Sequence, residues 1–146
     1  MLEKSKPILR NFMGEGVYDG FSIAKATSEH ANILQHNLRD SDVRECIIHG
    51  ASPFRALMSG VREKGENYTC IIDGQPICMF GVNPIMDNMI GRIWLLGSYE
   101  IEKRGRKFIR WSQSVVNYYQ EQYYQLENVV PADHKDTIDW LQFLGF

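Results

Sequence analysis

A basic turn in the second half of the chain carries the residue types best suited to binding an anion. Four cationic residues surround Gly105: Arg104, Arg106, Lys107 and Arg110. The turn follows the apolar run RIWLLGS, which is typical of a buried strand, and precedes IRWSQSVVNYY, which has the spacing of an amphipathic helix. The first N–H groups of a helix lack intrahelical partners, and the helix dipole favours negative charge near them. The turn is therefore a candidate site for a phosphate-bearing cofactor.

The same cations have two other interpretations. Glu100 and Glu102 lie just upstream and oppose a bound anion. A solvated basic turn fits this mixture of charges, and so does a patch that contacts another protein. From the residues alone, all three interpretations stay open.

Length and composition predict one globular domain. The chain has 146 residues, of which 44% are hydrophobic and 23% are charged, so it can bury a substantial core. Its net charge of −2 lacks the basic excess typical of proteins that bind nucleic acid. No apolar run reaches the roughly 20 residues of a membrane span, and the N-terminus has no apolar signal-peptide core. We expect a cytoplasmic protein with neither a nucleic-acid nor a membrane partner.

Turn and cap residues divide the chain into short elements. Residues 1–20 hold three glycines and little periodicity, which predicts an N-terminal arm before a domain over 21–146. The first predicted elements are a strand in GFSIAKAT and a helix that is capped at Thr27, is interrupted at 40–42 and resumes in VRECIIHG. A helix after Ser52-Pro53 follows, and then two strands around Asp73-Gly74. The last elements are the strand from Arg92, the long helix, a strand in LENVVP and a final helix in HKDTIDWLQFL. The order is β-α-α-β-β-β-α-β-α. The crossover through the long helix predicts that the fourth and fifth strands are parallel.

The cysteines predict neither a disulfide nor a metal site. They are Cys46, Cys70 and Cys78, an odd number without metal-ligand spacing. A two-residue turn between the hairpin strands would place Cys70 opposite Ile77 and Cys78 opposite Thr69, with the two thiols on opposite faces of the sheet. We therefore expect free, buried thiols and no metal.

The order of elements, the cationic glycine turn and the ending WLQFLGF resemble the GNAT acetyltransferase superfamily over residues 20–146. Four segments also resemble the small GNAT-like internal virion or virion-assembly proteins of short-tailed bacteriophages: DGQPICMFGV, GRIWLLGS, RKFIRWSQ and LENVVPADHKDTIDWLQFLGF. The superfamily resemblance implies an α/β (α+β) fold with a mixed sheet, whose central parallel strands splay apart around acetyl-CoA. The further C-terminal strands of the superfamily are absent or truncated in this sequence, so we expect an open edge on the fifth strand.

The resemblance implies that a strand end and the basic turn form the cofactor site. Strand backbone for the pantetheine would come from Gly97, Ser98 and Tyr99. The turn that holds the pyrophosphate would consist of Arg104, Gly105, Arg106, Lys107 and Phe108. The superfamily pattern there is Gln/Arg-x-x-Gly-x-Gly/Ala, and this chain departs from it with Glu102 at the first position and Lys107 at the second small position. A small residue lets pyrophosphate approach the backbone closely, so Lys107 would crowd it.

The resemblance also implies two candidate catalytic residues, Glu100 and His134. Glu100 would act as general base for an amine if the gap places it beside the acceptor; the alternative is a surface carboxylate paired with a nearby cation. His134 stands where many active relatives have Asn, and it is either a base or a residue of the helix-capping turn. Leu141 stands where those relatives have the Tyr that protonates the departing thiolate, and leucine has no proton to donate.

Two functions are consistent with these features. The first is a bacteriophage accessory protein, located in the host cytoplasm or the virion, that binds a phage or host protein or forms homo-oligomers by strand pairing. The altered turn, Leu141 and the open edge favour it. The second is an acetyl-CoA-dependent N-acyltransferase acting on an amine of a protein or small molecule, which the order of elements favours.

Overall fold

A computed structural model of the chain describes residues 14–18, 20–63, 65–87, 89–130, 132–133 and 135–146. Within these ranges, the strands are β1 (Gly16–Tyr18), β2 (Phe21–Lys25), β3 (Glu66–Ile72), β4 (Gln75–Ile85), β5 (Ile90–Gly97) and β6 (Gln125–Glu127). The helices there are α1 (Ser28–Leu34), α2 (Asp40–Ile48), α3 (Pro53–Arg62), α4 (Glu100–Lys103), α5 (Gly105–Gln120) and α6 (Lys135–Phe143). The strands form one mixed sheet in the order β1-β2-β3-β4-β5-β6. The predicted mixed α/β fold is confirmed.

The predicted helix starts are confirmed at two positions. The Thr27 hydroxyl accepts from the N–H of His30 at 3.2 Å, and the His30 ring nitrogen accepts from the N–H of Thr27 at 3.3 Å. Ser52 accepts from the N–H of Arg55 at 3.3 Å, with Pro53 in the first turn. The expected interruption at 40–42 is wrong, because α2 begins at Asp40. Acidic residues in a first turn favour a helix start through the helix dipole.

The hairpin of β3 and β4 turns at Asp73-Gly74 as predicted, with φ angles of 52° and 77°. Its register differs from the expected one, because Cys70 lies directly opposite Cys78. Ile71 pairs with Pro76, so Ile77 is an extra residue, a bulge next to a proline that has no N–H to donate. The bulge moves both thiols to one face of the sheet. The two cysteines are buried and free, as predicted.

The sheet has a hydrophobic core on each face. On one face, α5 contributes Phe108, Trp111, Val115 and Tyr119, which pack with β2, β3 and β4. On the other, α1, α2 and α3 contribute Leu34, Cys46 and Leu57, which pack against Met79 and Leu96. The apolar face of the amphipathic helix predicted from IRWSQSVVNYY therefore packs in the core. Burying a large apolar side chain contributes about 1.5–3 kcal/mol, so these two layers hold the sheet between them.

Two sheet edges differ from the sequence prediction. The short strand β1 lies inside the segment expected to be an arm, and it pairs with β2 through Val17↔Ser22 and its neighbours. Its glycines conceal the alternation that identifies a strand. At the other edge, the strand expected in LENVVP covers only Gln125–Glu127 and pairs in parallel with β5. The parallel orientation of these two strands was predicted correctly.

We predict that Gly60→Ala destabilises the protein although Gly60 lies inside α3. Alanine in a helix is ordinarily favoured over glycine by about 1 kcal/mol. Here an added Cβ would lie 2.3 Å from Cζ2 and 2.5 Å from Cη2 of Trp94, whose indole N–H is fixed by a 2.8 Å hydrogen bond to Asn67. We expect the free energy of unfolding in urea to fall by about 1–3 kcal/mol. Ser59→Ala, at the exposed neighbouring position, is the control. Equal or higher stability of Gly60→Ala would contradict the packing.

Candidate functional site

The central parallel strands are paired only at one end. In the described chain the β5–β6 ladder consists of Ile90↔Gln125, Gly91↔Leu126 and Arg92↔Glu127. The last pair carries an ion pair in which Nε and Nη2 of Arg92 lie 2.7 and 2.6 Å from one carboxylate oxygen of Glu127. Beyond Arg92, β5 continues along β4 as far as Gly97. The two strands therefore splay, as the resemblance implied.

The splay opens a cleft of about 1310 Å³. On one face of the sheet its walls come from α5 and α6, including Trp111 and Trp140. On the other face they come from α2 and α3, including Asp42 and Arg55. Because its walls belong to both faces, the cleft passes through the plane of the sheet between β5 and the segment after β6.

The basic turn lies at the start of α5. Gly105 begins this helix in the left-handed region, with φ 53°, and an added Cβ would meet nothing within 4 Å. In the first turn no acidic residue and no side-chain cap is described, while Arg106 and Lys107 are exposed. The N–H of Lys107 donates to the carbonyl of Arg104 at 3.2 Å, whereas that of Arg106 has no acceptor among the described residues. The backbone and the charges there suit an anion.

The turn residues predicted as one group divide into two kinds. Phe108 is buried in the core, edge-on to Phe21 with ring centroids 6.2 Å apart, so only its backbone faces the helix start. Arg104 is half-buried, with Nη2 3.5 Å from Glu100. The exposed cations Arg106 and Lys107 are the side chains that reach solvent.

Glu100 lies at the first position of α4 and faces its own helix. Its carboxylate binds the Lys103 ammonium at 3.0 Å as well as Arg104. The hydrogen bond and charge of Lys103, with a smaller contribution from Arg104, hold its pKa below the usual value. Glu100 is not among the residues that line the cleft. This geometry is that of a surface carboxylate paired with nearby cations, the alternative to a general base given above.

The strand end predicted to receive pantetheine is already hydrogen bonded. The N–H of Gly97 donates to Oδ2 of Asp42 at 2.9 Å, and its carbonyl accepts from the N–H of Arg39 at 2.9 Å. Ser98 donates through its N–H and its hydroxyl to the carbonyl of Ile77, at 2.9 and 3.0 Å. The Tyr99 hydroxyl accepts from the N–H of Asp40 at 3.1 Å. All three residues therefore hold the start of α2 or the bulge of β4.

Asp42 is a buried acid that the sequence did not identify. Its Oδ2 also accepts from Nε and Nη2 of Arg39, at 3.0 and 2.9 Å. Burial raises the pKa of the Asp42 carboxyl above its usual value, although Arg39 and the Gly97 N–H act in the opposite direction. No sequence signal marks this role, because an acid in the first turn of a helix is common. The Gly97 contact is also 55 residues away along the chain, so it leaves no local pattern.

Other titratable groups of the cleft are poorly suited to catalysis. Burial raises the pKa of Cys46 to about 11, so this thiol is protonated at neutral pH and a weak nucleophile. Tyr119 is buried, its pKa is raised by burial, and its hydroxyl lies 3.4 Å from the carbonyl of Glu66. Leu141 is buried in α6. His134, the second candidate catalytic residue, lies outside the described residues.

The described residues form neither a candidate metal site nor a candidate membrane span. No group of three His, Cys, Asp or Glu side chains is placed to hold a metal ion within the described ranges. No helix in those ranges is both long and apolar enough to cross a membrane.

Comparison with solved structures identifies the fold. The GNAT domain of S. lividans PAT superposes with a TM-score of 0.65 and 10% identity, over 86% of this chain and 80% of that one. A GNAT-family acetyltransferase from Bacillus anthracis superposes with a TM-score of 0.64 and 12% identity, over 87% and 80%. The chain has the GNAT acetyltransferase fold.

The similarity to solved structures is confined to the fold. The ribosomal-protein-S18-alanine N-acetyltransferase from Escherichia coli has the same fold, with a TM-score of 0.60 and 10% identity over 86% of this chain and 76% of that one. The sequence matches no protein-family model and no curated protein. An identity of 10–12% supports a shared fold and nothing finer. That shared fold confirms the predicted arrangement of elements, including the parallel central strands.

Proposed function

We propose that the chain binds acetyl-CoA, or a related acyl-CoA, in the cleft between β5 and β6 and transfers the acyl group to an amine. The observation that carries the proposal is the splay itself. A gap between two parallel strands exposes strand backbone to a ligand, and the start of a basic helix lies beyond the end of β5. A thioester with a phosphate-bearing tail matches both features.

The cofactor would lie along two sets of backbone groups. Ser98 donates toward β4, and peptide groups alternate in direction along a strand, so those of Leu95 and Gly97 point toward the gap. Gly97 is occupied by Asp42 and Arg39, which leaves Ile93–Leu96 as the stretch for pantetheine. The pyrophosphate would lie at Gly105 and Arg106, with Lys107 as a point charge. Relative to the expectation, the pantetheine contact moves from 97–99 to 93–96.

The missing acid at Leu141 is compatible with transfer. The thioester supplies an electrophilic carbonyl carbon and a thiol leaving group. A thiol has a pKa near 8.5, so its anion leaves without a dedicated proton donor more readily than an alkoxide would. The N–H groups along β5 can polarise the carbonyl. Glu100, whose pKa is lowered, is a weak base and orients Arg104. His134 therefore stays the candidate for removing a proton from the amine.

We predict that the protein binds acetyl-CoA and that Lys107→Glu weakens binding about tenfold. The substitution replaces an attraction to phosphate with a repulsion at the helix start, an effect of about 1.5 kcal/mol. Isothermal titration calorimetry measures both dissociation constants. Arg62→Glu is the matched control, because it makes the same charge change at an exposed position in the last turn of α3.

Three results decide this proposal. Weaker binding by Lys107→Glu but not by Arg62→Glu supports the pyrophosphate position. Equal weakening by both substitutions would show that the effect comes from the net charge of the protein and not from the position of Lys107. Absence of heat at acetyl-CoA concentrations of about 1 mM would exclude the cofactor, and then acyl transfer with it.

The second candidate function is a protein-contact role, such as virion assembly in a short-tailed bacteriophage or binding to a host protein. Its support is a group of exposed side chains where the β4–β5 turn meets the start of β6: Met86, Met89 and Tyr124, which are 69%, 53% and 85% exposed. The carbonyl of Met89 accepts from the N–H of Gln125 at 3.0 Å, so these side chains belong to touching segments. Exposed tyrosine and methionine are enriched in protein interfaces.

We predict that this role, if present, appears as self-association through that group of side chains. Light scattering after gel filtration at tens of micromolar would give a dimer or larger species for the unsubstituted protein, and a smaller one for Met89→Ser/Tyr124→Ser. Ile48→Ser, which removes an exposed apolar side chain from α2, is the control. A monomer at every concentration, together with turnover of acetyl-CoA, would contradict the second candidate.

A further inference from the structure

The ring of Tyr123 covers the end of the cleft at which β5 and β6 come together. A Cβ at Gly91 would lie 2.8 Å from Cγ and 2.9 Å from Cδ2 of Tyr123, so the ring lies directly on the backbone of β5 at this glycine. Gly91 pairs with Leu126 of β6, and both Tyr123 and Leu126 pack against the core on the α5 face. Within β5, the residues that line the cleft begin at Arg92 and continue to Leu96. The cleft therefore stops one residue short of the ring.

The opposite directions of α5 and β5 fix the level of Tyr123 along the cleft. The helix follows the end of β5, whereas Tyr123 lies on Gly91 near the start of that strand. The helical path reaches Tyr123, because its N–H donates to the carbonyl of Tyr119 at 3.1 Å. Val116, which lines the cleft, precedes Tyr123 by two helical turns, a rise of about 10 Å. That rise equals about three residues of strand, so Val116 lies near the level of Trp94.

The proposed position of the cofactor places the thioester near Ile93. With the pyrophosphate at the start of α5, pantetheine runs along β5 from Leu96 toward Ile93, and its sulfur comes last. The arm has about twelve chain bonds, as many as about four residues of extended backbone. The acyl group then starts at Ile93, about 7 Å of strand from Gly91 and the Tyr123 ring that covers it. An acetyl group fits in that interval, whereas a hexanoyl chain exceeds it.

The two faces of the sheet differ in polarity at this level. Ile93 packs in the core under α5, and because side chains alternate along a strand, the Tyr123 ring over Gly91 lies on the same face. Arg92 lies on the opposite face and forms its ion pair with Glu127 there. Hydrocarbon next to an ion pair displaces the water that solvates it, which is unfavourable. An acyl chain therefore extends along the α5 face, where the ring stops it.

We propose that Tyr123 limits the acyl group of the thioester to a short chain, acetyl or propionyl. This inference rests on the proposed acyl-CoA site. Tyr123 determines the size of the acyl group and takes no part in the transfer. In the unsubstituted protein, methylenes added to a short acyl group find no further apolar surface and contribute nothing to affinity. Without the ring, they would lie over Gly91 beside Leu126.

The test measures how affinity depends on acyl length, by titration calorimetry with acetyl-, propionyl-, butyryl- and hexanoyl-CoA. For the unsubstituted protein, affinity should not increase beyond propionyl-CoA. Tyr123→Ala removes the ring and lengthens the cleft. Hexanoyl-CoA should then bind about tenfold more tightly than acetyl-CoA, since each methylene that becomes buried adds to the affinity.

Two variants serve as controls. Tyr123→Phe keeps the ring, so its affinities should follow those of the unsubstituted protein. Tyr124→Ala removes the same kind of side chain from the next position, which is 85% exposed, and should leave the dependence on acyl length unchanged. A merely structural role for Tyr123 would weaken all four ligands by the same factor in Tyr123→Ala and leave their order unchanged.

The unsubstituted protein alone can overturn the inference, whether or not Tyr123→Ala folds. A steady gain in affinity from acetyl- to hexanoyl-CoA would show that the ring does not close the cleft. An unchanged dependence on acyl length in folded Tyr123→Ala would show that the chain extends elsewhere, and this too would overturn it. If no acyl-CoA binds the unsubstituted protein, the proposed function itself is wrong and this inference falls with it.

Discussion

The peptide groups along the gap side of β5 impose the constraint on which the site depends. A strand edge inside a partly buried cleft leaves N–H and C=O groups that need partners. Here β6 satisfies them as far as Arg92, and the start of α2 satisfies them again at Gly97. Between these points, Ile93–Leu96 has no strand partner on that side in the described chain. An extended ligand with alternating amide groups would complete the edge, and this is why a pantetheine-like arm suits the cleft.

Local chemistry allowed much of the fold to be predicted from the sequence. Thr27 and Ser52-Pro53 start helices, Asp73-Gly74 turns a hairpin, and the crossover through α5 makes β5 and β6 parallel, because each depends on neighbouring residues or chain handedness. The register of β3 and β4 was missed, since the bulge at Ile77 arises from pairing with Pro76 and moves Cys78 to the face of Cys70. The strand β1 was missed because Gly16 obscures its periodicity.

The candidate site was predictable only in part, for a different physical reason. The basic turn is contiguous in sequence, so its position at the start of α5 could be inferred before the structure. Asp42 reaches Gly97 through a contact between residues far apart in the chain, and no spacing rule reports such a contact. The position of Glu100 in the sequence suggested a general base. In the structure its carboxylate forms ion pairs with Lys103 and Arg104, three and four residues later. Both contacts depend on the direction of a side chain, which the sequence does not give.

Hydrogen–deuterium exchange of the full chain, with and without acetyl-CoA, tests the central claim most directly. If the ligand completes the β5 edge and its pyrophosphate lies on the α5 start, exchange should slow in peptides covering 93–96 and 104–108. Peptides covering β1 and β2, on the far edge of the sheet, should exchange at unchanged rates. Protection confined to other regions, or no protection at saturating ligand, would contradict the account of the cleft as an acyl-CoA site.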